Sequence, residues 1–213
     1  MSRKILLDRS YTCNNYFEMG IVPREFGYSF QKLPLDFPLY SGVLDRLEPL
    51  KQRLQDILPY LELENETARR EFMMAPLISE LIYYTKARLR VEYSVKFNEQ
   101  LQGIVDYYLE AEQSVVIIEA KQADLSRGFS QLTAALIALD RWLENQQSCI
   151  LGAVTTGDIW QFGVLDRLQK LVQQDLNLYR VPADLEQVFR ILLSFLRPPQ
   201  PKNGSTIQAG ANN

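Results

Sequence analysis

A chain of 213 residues, 46% of them hydrophobic, is long enough to bury one substantial core and does not require a second. The absence of any histidine excludes Ser-His-Asp and Cys-His catalysis, His-ligated zinc and His-Asn-His nuclease chemistry; the acids and bases left are Asp, Glu, Lys, Tyr or a metal-bound water. Two distant cysteines, Cys13 and Cys149, give no disulfide framework or zinc spacing, and a net charge of −3 gives no overall basic footprint.

No charged leader with an apolar stretch opens the chain and no apolar run reaches membrane-spanning length, which predicts a soluble cytoplasmic protein with no membrane partner. Residues 1–40 carry Pro23, Pro34 and Pro38 among many aromatics and read as an irregular extension packed on the domain. Ser41 is a candidate cap for a helix over about Val43 to Leu58, with Leu44, Leu47, Leu54 and Leu58 facing inward. Gly42 to Leu47 recurs as Gly163 to Leu168, but the flanking sequence diverges and no internal repeat follows from it.

Asn65 is the predicted N-cap of a helix running to about Tyr84, with Met73, Leu77 and Leu81 as its buried stripe and a kink at Pro76. At about 100° per residue, Glu66 falls within about 20° of Met73 and Leu77, whereas Glu71 points roughly 140° away. Glu66 is therefore the inward carboxylate. Glu80 also lies near the stripe, but 14 residues on it stands roughly 21 Å further along the axis.

The next segment alternates strictly: Leu89, Val91, Tyr93, Val95 and Phe97 against Arg88, Arg90, Glu92, Ser94, Lys96 and Asn98, a half-buried strand whose basic groups line one solvated face. With Arg69, Arg70, Lys86 and Arg127 these form a local basic cluster, either an ordinary solvated face or a phosphate track.

Leu101 to Glu110 and Ser114 to Lys121 are rich in β-formers and are separated by polar residues, which predicts an antiparallel hairpin. Residues two apart share a face, so Glu119 and Lys121 lie on one side and Ala120 on the other. Pairing of the strands brings Asp106 beside Glu119. Two carboxylates at the end of a strand as apolar as Val115 to Ile118 carry a desolvation cost of several kcal/mol unless paired or binding something. A hard divalent cation such as Mg²⁺ relieves their repulsion and suits an all-oxygen site.

Asp124 opens a long helix with Phe129, Leu132, Leu136, Leu139 and Leu143 on its apolar face and Gln131 on the flank of that face. Gly157-Asp158 supplies turn chemistry between two β-rich runs, the second bearing Trp160. A strand-like stretch over Leu171 to Val181 and a helix from about Ala183 to Leu196 close the domain, taken as 41–197. The tail, 198–213, is rich in Pro, Gly, Asn and Gln and reads as disordered.

Asp106 followed by Glu119-Ala120-Lys121 resembles the PD-(D/E)XK nuclease superfamily, with Val105 where a Pro often precedes the first acid. The stretch from Asn65 resembles the opening helix of the nuclease-type domains of type I restriction subunits. Gln131 resembles the glutamine that many members direct toward the site, and residues 153–162 resemble the strand, turn and Trp-bearing strand that follow. The resemblance covers roughly Asn65 to Leu165. It implies an α/β fold with a three-layer αβα, restriction-endonuclease-like core and a mixed β-sheet. It also implies Mg²⁺ or Mn²⁺ held by Glu66, Asp106, Glu119 and the Ala120 carbonyl, with Asp106, Glu119, Lys121 and Gln131 as catalytic groups. The activity implied is metal-dependent hydrolysis of DNA phosphodiester bonds. Arg70, Arg88, Arg90, Lys96 and Arg127 are then candidate nucleic-acid contacts, and the implied partners are DNA, a divalent cation and, for cutting both strands, a second copy in a homodimer.

Each residue also has a structural reading: Glu119 and Lys121 as a solvated strand end, Glu66 as a capping carboxylate, Gln131 as an ordinary helix residue, Trp160 as a core aromatic. The alternative function is a catalytically silent nuclease-fold protein acting as a nucleic-acid or protein binding module. A carboxylate-pair glycoside hydrolase is disfavoured, because neighbouring-strand acids with a same-face lysine build a cation site and not an open cleft.

Overall fold

The computed structural model describes residues 5–7, 21–96, 101–112, 114–120, 124–144 and 147–197. The disordered tail expected over 198–213 lies outside them. Its centre is β5 (Ser114–Ala120), buried along all seven residues, as the unbroken apolar run Val115 to Ile118 requires of a strand covered on both faces. It pairs antiparallel with β4 (Leu101–Ala111), and β4 pairs antiparallel with β3 (Arg88–Lys96). The three form the expected meander. On the other side β5 runs parallel to β6 (Cys149–Thr155), reached through the helix α5 (Leu125–Trp142). Antiparallel β7 (Ile159–Asp166) and β8 (Leu171–Asp175) follow. The short β9 (Tyr179–Arg180) pairs with β7, and helix α6 (Leu185–Leu196) ends the described chain.

Residues 1–40 are not simply an irregular extension. Their described part includes β1 (Ile5–Leu7), a one-turn helix α1 (Ile21–Glu25) and β2 (Ser29–Leu33). β1 lies parallel to β4, and β2 adds to the sheet edge parallel to β8. An edge strand joined in parallel carries no hairpin signal of its own, and its alternation is only partly buried, so local sequence does not mark it. Among the described residues the result is a mixed nine-stranded sheet in an α/β, three-layer αβα arrangement.

One layer packs α6, α2 (Leu47–Ile57) and the helical segment ending in α4 (Ala75–Thr85) against Leu109, Val116, Ile118, Ala153 and Phe162. The other packs α5 and Tyr28 against Val105, Tyr108, Val115, Ile117 and Leu165. The α2 helix starts later than Ser41 suggests: Arg46 occupies the cap position without a side-chain bond, and Pro49 falls in the first turn, where its missing N–H costs nothing. Within α5, Leu132 lies over Gly152 and Phe129 over Gly163; a Cβ at these positions would come within 2.6 and 2.4 Å of the two side chains. These glycines set how closely α5 approaches the sheet. Among the described residues, no helix is long and apolar enough to cross a membrane.

Candidate active site

The site is built from three irregularities that meet at one end of the meander. The first is the helical segment after Asn65. Asn65 caps it as predicted, its Oδ1 accepting from the Ala68 N–H at 2.8 Å, and opens α3 (Glu66–Arg69). The expected kink at Pro76 takes another form. Residues Arg70–Met74 make a π-turn in which the Ala75 N–H bonds the Arg70 carbonyl, and α4 then resumes with Pro76 in its first turn. Pro76 has no N–H to return to Phe72, and the widened turn just before it absorbs that loss. Met73, Leu77 and Leu81 are fully buried, as their spacing predicts.

The second irregularity is in β3. Glu92 has φ 52°, in the left-handed region, and the pairing of β3 with β4 skips the rung that would join Glu92 to Asp106. The predicted alternation does not survive it. Leu89 packs in the α4 and α6 layer, whereas Tyr93 and Val95 pack in the α5 layer. The apolar residues of β3 therefore do not share one face. Arg90 lies over the rings of Tyr93 and Tyr108, at 4.7 and 5.4 Å, and pairs with Glu110 at 3.5 Å. Arg88 is exposed, and the side chain of Lys96 is outside those described.

The third is the end of β5. The pairing of β4 with β5 ends at Tyr107 with Ile118, and the residues next to that last rung, Asp106 and Glu119, are each only 4% exposed. Asp106 Oδ2 accepts from the Ala120 N–H at 2.8 Å, so the carboxylate also closes the end of the strand. Alternation along β5 sends Val115 and Ile117 toward α5, and Glu119 belongs to that set. Lys121 lies outside the described residues. Gln131 is half-buried in the second turn of α5, and Arg127 is exposed in the first, where its N–H donates to the capping Asp124 carboxylate at 2.9 Å.

Arg70 ties the three together. Its Nη1 stands 3.4 Å from Glu92, 3.7 Å from Asp106 and 3.9 Å from Glu66, its Nε donates to the Tyr107 hydroxyl at 3.3 Å, and its guanidinium lies 5.2 Å from the centre of the Tyr107 ring. Burial alone would lower its pKa, but the bond to Tyr107 and the Asp106 charge outweigh this and raise it. Beside it opens a cleft of about 510 Å³ between α3, α4 and the meander. Glu66 lines this cleft with its side chain 37% exposed; it is turned toward the site and not into the core. Glu80, the other acid on the stripe, is held elsewhere by Arg46 at 2.8 Å.

Carboxylates from a helix and two neighbouring strands surround a positive group. In this structure that group is the Arg70 guanidinium. Among the described residues, no three acidic or thiol side chains are grouped closely enough to hold a metal ion. Glu92 is exposed on its strand as predicted, but its pairing with Arg70 is a contact that sequence reading did not find. The spacing of Glu66 and Arg70, four apart on a helix, was the available signal.

The Gly157 turn supports the site from behind. Gly157 has φ 93°, and a Cβ there would lie 3.1 Å from Met73 Cβ. Arg69 bonds the Thr156 carbonyl and Asp158, each at 3.1 Å, and the Leu63 carbonyl at 2.6 Å. Trp160 is fully buried and donates to the Gly157 carbonyl at 3.2 Å. The turn thus clamps the helix that carries Glu66 and Arg70 onto the sheet.

The fold and site define a three-layer αβα protein with carboxylates gathered around a guanidinium at one end of a mixed sheet. No protein-family model and no curated protein matches the chain. Among solved structures it is similar to the cryo-electron-microscopy structure of a DrdV–DNA complex, with a TM-score of 0.47 and 14% identity over 75% of this chain; it spans 14% of that chain.

Proposed function

We propose that this chain is a divalent-cation-dependent nuclease of the PD-(D/E)XK type that hydrolyses phosphodiester bonds of DNA. The observation that supports it is that Asp106 and Glu119, at the ends of adjacent strands of an apolar sheet, are both buried. Such an arrangement is costly to maintain for stability alone. In this reading Asp106, Glu119 and the Ala120 carbonyl would hold Mg²⁺ or Mn²⁺, and Glu66 would join them from the opening turn of the helix. Bound there, the ion supplies Lewis-acid polarisation of a phosphoryl oxygen and acidification of water. Lys121 orients the attacking water and offsets charge on the phosphorane, while Gln131 assists from the start of α5. The cleft beside Tyr107 receives the nucleic acid, with Arg88, Lys96 and Arg127 as its outer phosphate contacts.

The test is cleavage of supercoiled plasmid and end-labelled duplex by the purified protein with Mg²⁺ or Mn²⁺. Asp106→Asn and Glu119→Gln should each lower the rate by at least about 100-fold, and Lys121→Ala should do the same. Cleavage that persists unchanged in all three variants refutes the assignment.

One observation favours a second reading. Asp106 is paired with Arg70, and among the described residues no three acids are grouped as metal ligands, which suits a catalytically silent protein that keeps the fold as a nucleic-acid or protein binding module. DNA binding without turnover on single-stranded, duplex and branched substrates would support that reading over the first.

A further inference from the structure

We infer that the cleft beside Tyr107 holds one unpaired nucleobase, and that Glu71 selects a base carrying an exocyclic amino group. The inference rests on the DNA substrate proposed above and needs no metal ion. Size comes first. A cleft of about 510 Å³ falls within the range of about 300–1,000 Å³ that suits a small ligand. A duplex is too wide to enter it, whereas a single nucleotide turned out of its stack is not. The walls suit a base: Ala75, Ile78, Leu89 and Val91 are apolar, and Val91 is 50% exposed. Arg70 adds a flat group on which a base can stack, its guanidinium lying 5.2 Å from the centre of the Tyr107 ring.

Charge decides which part of the nucleotide enters. Glu66, Glu71 and Glu92 line the cleft against one guanidinium, that of Arg70. This excess of carboxylate repels a phosphate, so the backbone stays outside and the neutral base goes in. An ionised carboxylate only accepts hydrogen bonds. The amino group at position 4 of cytosine donates to a glutamate, and the carbonyl that thymine carries at the same position does not. Glu71 is the acid placed for this. Among the described residues, Arg70 pairs with Glu66, Glu92 and Asp106 but not with Glu71, which is exposed on the cleft. A regular helix would turn Glu71 roughly 140° from Glu66. The widened turn over Arg70–Met74 departs from that geometry, and both acids line one cleft.

The experiment is fluorescence anisotropy in EDTA with three labelled duplexes, one carrying a single unpaired dC, one a single unpaired dT and one fully paired. Cytosine and thymine have the same ring size, so their difference isolates the amino group. The wild type should bind the unpaired-dC duplex about tenfold or more tighter than the unpaired-dT duplex, and the paired duplex weakest. Glu71→Gln, at an exposed position, should bring the dC and dT duplexes level, because a carboxamide both donates and accepts. Arg70→Lys, which keeps the charge and loses the plane, should weaken both unpaired duplexes about fivefold relative to the paired one. Equal binding of the three duplexes by the wild type, or a dC preference that survives in Glu71→Gln, overturns the inference and leaves DNA standing as the substrate. No binding of any duplex at about 0.1 mM protein, where even non-specific DNA binding is detected, overturns both.

Discussion

Asp140 offers the sharpest test of what holds this fold apart from its site. Its side chain, 2% exposed, accepts from the Tyr28 hydroxyl at 2.5 Å, from Arg167 Nε at 2.7 Å and from Lys170 Nζ at 2.6 Å. One carboxylate on α5 thereby fastens the segment leading into β2 and the turn between β7 and β8. Arg167 also bonds the Leu143 carbonyl at 2.8 Å, closing the C-terminal end of α5. Breaking a buried ion pair by removing one partner costs about 3–5 kcal/mol. The low end applies here, because Lys170 is half exposed and screened and Arg167 keeps its carbonyl partners. Asp140→Asn should therefore lose about 3 kcal/mol in urea denaturation at pH 7, or about 6–12 °C in Tm for a chain of this size. Burial pushes the Asp140 pKa up, but the bonds from Lys170, Tyr28 and Arg167 outweigh it and hold it below the usual carboxylate value. A depressed folded-state pKa contributes stability that is complete above the unfolded value of about 3.9 and is lost as pH falls through the folded one. The gap between wild type and variant should accordingly be full at pH 7 and close on acidification below about pH 4. Asp140 also lies about 22 Å along α5 from its start, so cation affinity of the folded variant should match wild type. A loss under about 1 kcal/mol at pH 7, or a gap that does not narrow in acid, would refute the reasoning.

Gly163→Ala should destabilise by about 1–3 kcal/mol in the same assay, since the new Cβ would meet Phe129 Cζ at 2.4 Å and the Gln173 carbonyl oxygen at 3.1 Å; a neutral result would mean that α5 can lift from the sheet. Asn65→Ala removes the cap bond to Ala68 and should cost about 1 kcal/mol. Because that cap opens the turn carrying Glu66, Mn²⁺ affinity should weaken with it, and affinity unchanged by the loss of the cap would remove Glu66 from the ligand set.

The elements that the sequence makes legible are those with regular periodicity. Asp124 and Asn65 cap the helices expected of them, the β4–β5 hairpin turns where its polar residues stand, and Trp160 is in the core. These follow from local chemistry: a short polar side chain that can reach a helix N–H, and an apolar run that must be covered on both faces. The edge strand β2 was not legible. Its residues Ser29 to Leu33 pair in parallel with β8, 142 positions away by the register Ser29 to Leu171, and nothing local announces such a partner.

The site is a different case, because its geometry comes from two departures that periodicity cannot encode. A strand read at period two cannot show that Glu92 adopts a left-handed backbone, a conformation uncommon for a residue with a Cβ. A helix wheel drawn at 100° per residue cannot show the π-turn that starts at Arg70. Each departure carries a local cost, and each moves a charged side chain toward Asp106. Without the reset at Glu92, strict alternation would keep Leu89, Val91, Tyr93 and Val95 on one face. With it, Glu92 reaches Arg70 from one side while Asp106 and Glu66 reach it from the others. Places where regular rules fail together in one spot are where a chain trades local regularity for a specific arrangement. That both irregularities converge on the same guanidinium, at the end of the strand carrying Glu119, makes Arg70 the residue through which this site should first be tested.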